Sequence, residues 1–134
     1  MGDVLLQAID LKKYFSTPRG ELHAVDNVNF SIRKGETLGV VGESGCGKST
    51  LGRTILRLLP ITGGQVLYDG QDVAKMSKSQ MIQMRKRMQI IFQDPYSSLD
   101  PRMSVAAAIA EPLKIHGVSK NRAELNAKVQ ELMD

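Results

Sequence analysis

The sequence of 134 residues has one cysteine, no tryptophan and few aromatic residues, which make up 4% of the chain. The single cysteine, Cys46, cannot form a disulfide within the chain and lies outside any metal-ligand spacing. No stretch approaches the roughly 18 to 20 apolar residues that span a bilayer, and the N-terminus has no basic segment followed by an apolar one. We therefore expect a folded chain that neither crosses a membrane nor is exported.

Charge of one sign is also limited, because 18 Lys and Arg residues stand against 14 Asp and Glu residues, for a net charge of +4. This excess suits an anionic partner, but the phosphates of a nucleotide satisfy it, so no nucleic acid is required. The basic run at residues 85–87 is better explained as a solvated helix face than as a nucleic-acid patch. We assign no metal or catalytic role to the two lone histidines, His23 and His116.

The apolar pattern of the first half predicts a strand, a glycine loop and a helix in succession. Short apolar or alternating runs predict strands over residues 4–11 and 25–32, with a loop at 16–20 between them. The continuous apolar run at 37–41 predicts a strand buried on both faces of a sheet. Apolar residues at helical spacing then predict a helix over residues 49–59, which Pro60 ends.

Turn and cap signals organise the second half. An Asp-Gly pair predicts a hairpin over residues 64–73, and capping-box spacing at Ser77 predicts a helix to about residue 87. Residues 88–92 predict another buried strand, and the Asp-Pro pairs within 94–101 predict turn-like backbone after it.

Two further helices are predicted near the end of the chain. Ser104 and Ser119 are expected to cap them, and Pro112 is expected to bend or end the first. The last helix keeps its apolar stripe to the final residues and has no glycine stop, so we expect the sequence to be cut from a larger protein. Its apolar residues are Leu125, Val129, Leu132 and Met133.

The glycine loop after the predicted strand at 37–41 matches G-x-x-x-x-G-K-[ST], the phosphate-binding P-loop. Its glycines allow successive N–H groups to point inward, and the following helix adds the positive end of its dipole. We expect Lys48 to reach the β- and γ-phosphates of ATP and Ser49 to ligate Mg²⁺, with the Thr50 hydroxyl near the α-phosphate. The expected nucleotide-binding residues here are Gly42, Glu43, Ser44, Gly45, Cys46, Gly47, Lys48, Ser49 and Thr50.

The sequence on both sides of this loop resembles one protein family over the whole chain. Residues 39–51 (GVVGESGCGKSTL) look like the Walker A region of ABC-transporter ATPases, and residues 91–95 (IFQDP) look like their Q-loop. Residues 92–102, with Glu-Pro-Leu at 111–113, resemble the oligopeptide and dipeptide importer subfamily. Leu-Gly-Arg at 51–53 resembles its second ATPase subunit.

This resemblance implies an α/β P-loop NTPase fold of the ABC type, with part of its core sheet. An antiparallel β subdomain with the A-loop would occupy residues 1–36, the P-loop core would reach the Q-loop over 37–103, and the helical subdomain would begin at 104–134. Tyr14 matches the aromatic position that stacks on adenine, with Phe15 as the alternative. Gln93 matches the Q-loop glutamine, whose amide would touch Mg²⁺ or the attacking water. The resemblance thus gives Lys48 and Gln93 catalytic roles.

The function implied is that of the ATPase subunit of a peptide-type ABC importer, peripheral on the cytoplasmic face of the cell membrane. Its partners would be ATP, a second ATPase subunit of the same or another kind, and membrane permease subunits that contact the Q-loop region. The family's signature motif, Walker B carboxylates and switch histidine are not in this sequence, so we expect these residues to bind ATP without hydrolysing it. The alternatives are a non-hydrolysing nucleotide-binding fragment and an ABC-type ATPase of DNA repair. The transported substrate stays open among peptides, nickel and glutathione.

Overall fold

The computed structural model describes residues 3–43, 45 and 47–134. Two predicted P-loop residues, Ser44 and Cys46, lie outside the described residues. The chain divides into two compact units, one ending at Met81 and the other beginning at Ile82. The subdomain boundaries expected from the family resemblance stay predictions.

The first unit is built on a four-stranded antiparallel sheet with the order β2-β1-β3-β4. The two long strands β1 (Val4–Thr17) and β2 (Gly20–Arg33) pair along most of their length. The loop predicted at 16–20 is therefore too long, because Thr17 already pairs with Gly20 and only a two-residue turn separates the strands. The short strands β3 (Gly63–Tyr68) and β4 (Gln71–Asp72) complete the sheet.

The predicted Asp-Gly hairpin is confirmed between β3 and β4. Asp69 has φ of 51° and Gly70 has φ of 80°, so both turn residues adopt the left-handed conformation. Positive φ at both central positions is what the favoured two-residue hairpin turn requires, because its twist matches that of the strands.

A bulge in β1 brings two backbones unusually close. The pairing of β1 with β3 shifts register between Ile9 and Lys12, and Asp10 has φ of 47°. Asn29 holds this bulge, since its Oδ1 accepts from the Asp10 N–H at 2.9 Å and its Nδ2 donates to Asp10 Oδ1 at 3.0 Å. The bulged carbonyls face Gly64, which has φ of 77° and no side chain to obstruct them. Glycine is required at position 64 on both counts.

The helix after the P-loop, α1 (Lys48–Ile55), is shorter than the predicted 49–59. It ends because Arg57 turns to φ of 55° and the N–H groups of Leu58 and Leu59 both donate to the Arg53 carbonyl. The Arg57 guanidinium donates to the carbonyls of Val73 and Met76 at 3.0 and 2.7 Å. These distant hydrogen bonds hold the chain in its turn, and local apolar spacing could not reveal them.

Two predicted strands, at 37–41 and 88–92, do not form, and these predictions were wrong for this structure. A strand buried on both faces needs a neighbour on each side to satisfy its backbone groups. Among the residues described, no segment pairs with either run. Val41 is 93% exposed and Ile91 is 98% exposed as a result. The expected part of the P-loop core sheet is thus not assembled in these residues.

The capping box predicted at Ser77 is confirmed at the start of α2 (Lys78–Met84). The Gln80 N–H donates to Ser77 Oγ at 3.2 Å, and the Ser77 N–H donates to Gln80 Oε1 at 2.8 Å. A short 3₁₀ turn, Val73–Lys75, precedes it. The buried apolar residues of the first unit include Ala8, Leu11, Val25, Val66, Tyr68, Val73 and Met76.

In the second unit, α3 (Val105–Ile115) packs against α4 (Arg122–Met133). Ser104 caps α3 as predicted, with its side chain accepting from the Ala107 N–H at 3.1 Å. Pro112 does not end α3, which continues for three more residues to Ile115, although its ring removes the N–H that would donate to the Ala108 carbonyl. The cap of α4 is Asn121, which accepts from the Glu124 N–H at 2.8 Å, so the prediction of Ser119 was wrong.

The contact between α3 and α4 is apolar, and its buried residues are Ala110, Leu125 and Val129, flanked by Ile109 and Leu113. Within the part of the chain that the structure describes, no helix has the length and apolar character needed to cross a membrane.

Candidate nucleotide-binding site

Two glycines of the P-loop adopt the left-handed conformation just before α1. Gly45 has φ of 82° and Gly47 has φ of 96°, values that residues with a side chain rarely adopt. Gly47 is the N-cap of α1, and its carbonyl accepts from the Leu51 N–H at 2.8 Å. Among the residues that the structure describes, no side chain caps this helix end. The free N–H groups of the first turn and the helix dipole therefore favour an anion here.

Gly47 also fixes the loop against the sheet. A Cβ at this position would lie 2.5 Å from the carbonyl oxygen of Ala24, far inside the contact distance. The loop therefore rests directly on the backbone of β2, and α1 packs against β1 and β2. The side chain of Thr54, fully buried on α1, donates to the Thr50 carbonyl at 2.7 Å.

Lys48 carries the positive charge of the site. Its ammonium donates to the carbonyl of Gly42 and, at 3.2 Å, to the carbonyl of Glu43. The charge therefore lies over the loop itself before any phosphate binds. Ser49 is exposed beside it, and Thr50 is half-buried.

A stacked aromatic pair lies on the same region of the sheet. Tyr14 on β1 is directly opposite His23 on β2, and their rings stack with centroids 3.7 Å apart and planes 10° apart. His23 precedes Ala24, whose carbonyl faces Gly47, so the pair lies one residue along β2 from the P-loop contact. Phe15 is engaged elsewhere, since the Lys13 ammonium lies 4.8 Å from its ring centroid.

Carboxylates surround this aromatic pair. The Tyr14 hydroxyl donates to Asp26 Oδ1, and this hydrogen bond is the main cause that raises the pKa of Tyr14 to about 12. The His23 ring nitrogens lie 3.1 Å from Glu21 Oε1 and 3.6 Å from Asp26 Oδ2. Carboxylates therefore lie beside the aromatic pair, whereas the Lys48 ammonium lies at the loop.

Nothing in the sequence assigned His23 a metal or catalytic role, and its stacking on Tyr14 was not predicted. The two-residue turn after Thr17 could have predicted this pairing. If Thr17 pairs with Gly20, the antiparallel register three residues further from the turn places Tyr14 opposite His23.

Gln93 belongs to the second unit, where it is exposed in a loop shaped by two aspartates. Asp94 Oδ1 accepts from the N–H groups of Tyr96 and Ser97 at 2.9 and 3.3 Å. These hydrogen bonds lower the pKa of Asp94, and the hydrogen bond from the Ser97 N–H has the largest effect. Asp100 repeats the arrangement with Arg102, whose side chain and N–H lower the pKa of Asp100. The turn-like backbone predicted for the two Asp-Pro pairs is confirmed.

The first unit thus brings together the described P-loop residues, and it carries Tyr14 on the sheet against which the loop rests, while Gln93 lies in the other unit. Over residues 3–43, 45 and 47–134, no group of three or more His, Cys, Asp or Glu side chains could hold a metal ion. A Mg²⁺ ion bound through Ser49 would take most of its ligands from phosphate oxygens and water, as this ion commonly does.

The family model described as ABC transporter matches residues 25–134. The chain belongs to the ABC transporter family. This ABC transporter chain is 51% identical to the oligopeptide transport ATP-binding protein OppF of Bacillus subtilis (strain 168) over 100% of its own length and 44% of that protein's. It is 46% identical to AppF of the same organism, an oligopeptide transport ATP-binding protein, over 98% of its own length and 42% of that protein's.

Among solved structures, the ABC transporter chain resembles the dimeric bacterial ABC transporter cassette MJ0796, with a TM-score of 0.77 and 25% identity. The match covers 92% of this chain and 53% of that cassette. The expected fold class, an ABC-type P-loop ATPase domain in part, is thereby confirmed. The chain spans less than half the length of the curated relatives it matches.

Proposed function

We propose that this chain is the nucleotide-binding part of the ATPase subunit of a peptide-type ABC importer. The observation that carries the proposal is the loop at residues 42–49, in which two left-handed glycines, the N-terminus of α1 and the Lys48 ammonium converge. The relatives named as oligopeptide transport ATP-binding proteins support the peptide class.

Each predicted residue has a role in this proposal. The N–H groups of the loop and the ammonium of Lys48 bind the triphosphate, and Ser49 supplies a hydroxyl to Mg²⁺. The Mg²⁺ ion would neutralise phosphate charge and orient the terminal phosphate. The Tyr14 ring presents a flat polarizable face to adenine. Gln93 keeps the role that the family resemblance implies, in which its amide would touch Mg²⁺ or the attacking water.

The proposal also includes protein partners. The dimeric form of the similar cassette supports pairing with a second ATPase subunit. Membrane permease subunits would contact the loop after Gln93, where Tyr96 and Leu99 are exposed apolar side chains beside ordered turns. Such a subunit would work at the cytoplasmic face of the membrane.

Removing the Lys48 ammonium tests the nucleotide site. We expect Lys48→Ala to weaken Mg-ATP binding about 10- to 100-fold, because a charge-assisted hydrogen bond contributes about 1.5 to 3 kcal/mol. Isothermal titration calorimetry measures both affinities. Lys34→Ala is the matched control, since it removes the same charge from an exposed position after β2, and we expect its affinity to stay within about twofold of the wild type. Equal affinities of Lys48→Ala and the wild type would exclude the proposed site.

A further inference from the structure

His23 is held in its place from several directions. It lies opposite Tyr14 in the β1–β2 ladder, in the part of the hairpin next to the turn. Its imidazole is about half exposed, with two carboxylates at its edge, Glu21 at 3.1 Å and Asp26 at 3.6 Å. A cross-strand aromatic pair of this kind stabilises the orientation of both rings.

Tyr14 is also held by hydrogen bonds, at its hydroxyl and at its backbone N–H. Its hydroxyl donates to Asp26, the carboxylate that also lies beside His23. Its backbone N–H donates to the Thr62 hydroxyl at 3.0 Å. The stacking partner and the shared carboxylate therefore leave the Tyr14 ring little freedom to rotate.

Different charged groups lie at the stacked rings and at the loop. Two carboxylates, Glu21 and Asp26, flank the stacked rings, whereas the Lys48 ammonium lies over the loop. A triphosphate is repelled from the carboxylates and attracted to the ammonium, while an uncharged base is free of that repulsion. A nucleotide is thus favoured in one orientation, with its base at the rings and its phosphates at the loop.

We propose that His23 is a positioning residue for the base of the bound nucleotide, holding Tyr14 by stacking so that the base binds on this ring pair. The inference rests on the proposed function and adds to it a residue outside the P-loop motif. A purine suits the pair because its extended flat surface stacks well on aromatic rings. His23 acts through Tyr14 and not on the phosphates.

The test compares Mg-ATP with Mg-tripolyphosphate, which has the phosphates but no base. We expect His23→Ala to weaken Mg-ATP binding about 2- to 10-fold, the range of one lost stacking contact, and to leave Mg-tripolyphosphate binding unchanged. We expect His23→Phe, which keeps an aromatic ring, to restore Mg-ATP binding. Unchanged tripolyphosphate binding also shows that the substituted chain is folded.

Three results would overturn the role of His23: unchanged Mg-ATP affinity in His23→Ala, an equal loss for both ligands, or failure of His23→Phe to restore binding. Failure of the proposed function gives a different pattern, because Mg-ATP binding would then be independent of Lys48 in every variant. Lys48-dependent binding that is insensitive to His23 would overturn only this inference.

Discussion

Replacing Gly47 by alanine is expected to weaken Mg-ATP binding by more than about 100-fold and to destabilise the first unit by about 2 to 6 kcal/mol. Two costs combine at this position. The backbone has φ of 96°, and the new Cβ would lie 2.5 Å from the Ala24 carbonyl oxygen. Relieving the contact must move the start of α1 away from β2, and Lys48 moves with it. Calorimetric titration and urea unfolding measure the two effects.

Alanine variants of two other glycines distinguish backbone strain from the close contact with Ala24. Gly45 has φ of 82° but open space around it, so Gly45→Ala should show only the conformational strain, about 1 to 2 kcal/mol. Gly52 lies within α1 and has neither a positive φ nor a close neighbour, so Gly52→Ala should be neutral or stabilising by up to about 1 kcal/mol. If all three variants bind and unfold alike, the contact between Gly47 and Ala24 does not position the loop.

Replacing Gly64 by alanine is expected to destabilise the sheet by about 3 to 5 kcal/mol. Its Cβ would collide with the Asp10 carbonyl oxygen and lie 2.5 Å from that of Ile9, and the backbone has φ of 77°. The obstructing atoms are backbone atoms of the β1 bulge, which Asn29 holds in place, so no side chain can swing aside. Urea unfolding of the variant and the wild type measures the loss.

Gly70→Ala is the matched control for that loss. Gly70 has φ of 80° in the β3–β4 turn, but nothing lies near the position of a Cβ. We expect a loss of about 1 to 2 kcal/mol, from strain alone. A loss as large as that of Gly64→Ala would show that strain, and not contact with the bulge, sets the requirement for glycine at position 64.

Local chemistry was predictable from the sequence wherever neighbouring residues determine it. The Asp69-Gly70 turn follows from backbone preference, and the Ser77 capping box follows from two side chains that satisfy nearby N–H groups. The glycine turns at Gly45 and Gly47 followed from glycine spacing, because both positions have positive φ, which glycine tolerates.

Elements that depend on distant partners were predicted wrongly or not at all. The apolar runs at 37–41 and 88–92 suit buried strands, but a strand forms only where a neighbour completes its hydrogen bonds. The end of α1 depends on hydrogen bonds from Arg57 to carbonyls 16 and 19 residues away. The bulge at Asp10, which imposes glycine at position 64, likewise comes from pairing across the sheet.

The candidate site shows the same division. The residues of its proposed phosphate end come from one contiguous motif, and their roles stay predictions. At its proposed aromatic end, the role of Tyr14 was predicted from the family resemblance, whereas the position of His23 opposite Tyr14 depends on strand register. The acidic surroundings of the two rings add a charge polarity that the net charge of the chain does not reveal.

The central claim is that the loop at residues 42–49 binds the phosphates of ATP, and amide NMR tests it without any substitution. The ¹⁵N-labelled chain is titrated with Mg-ATP while its backbone amide resonances are followed. We predict the largest shift changes within residues 42–49, smaller ones at Tyr14 and His23, and none in α4. Saturable changes elsewhere in the chain with residues 42–49 unaffected would contradict the account.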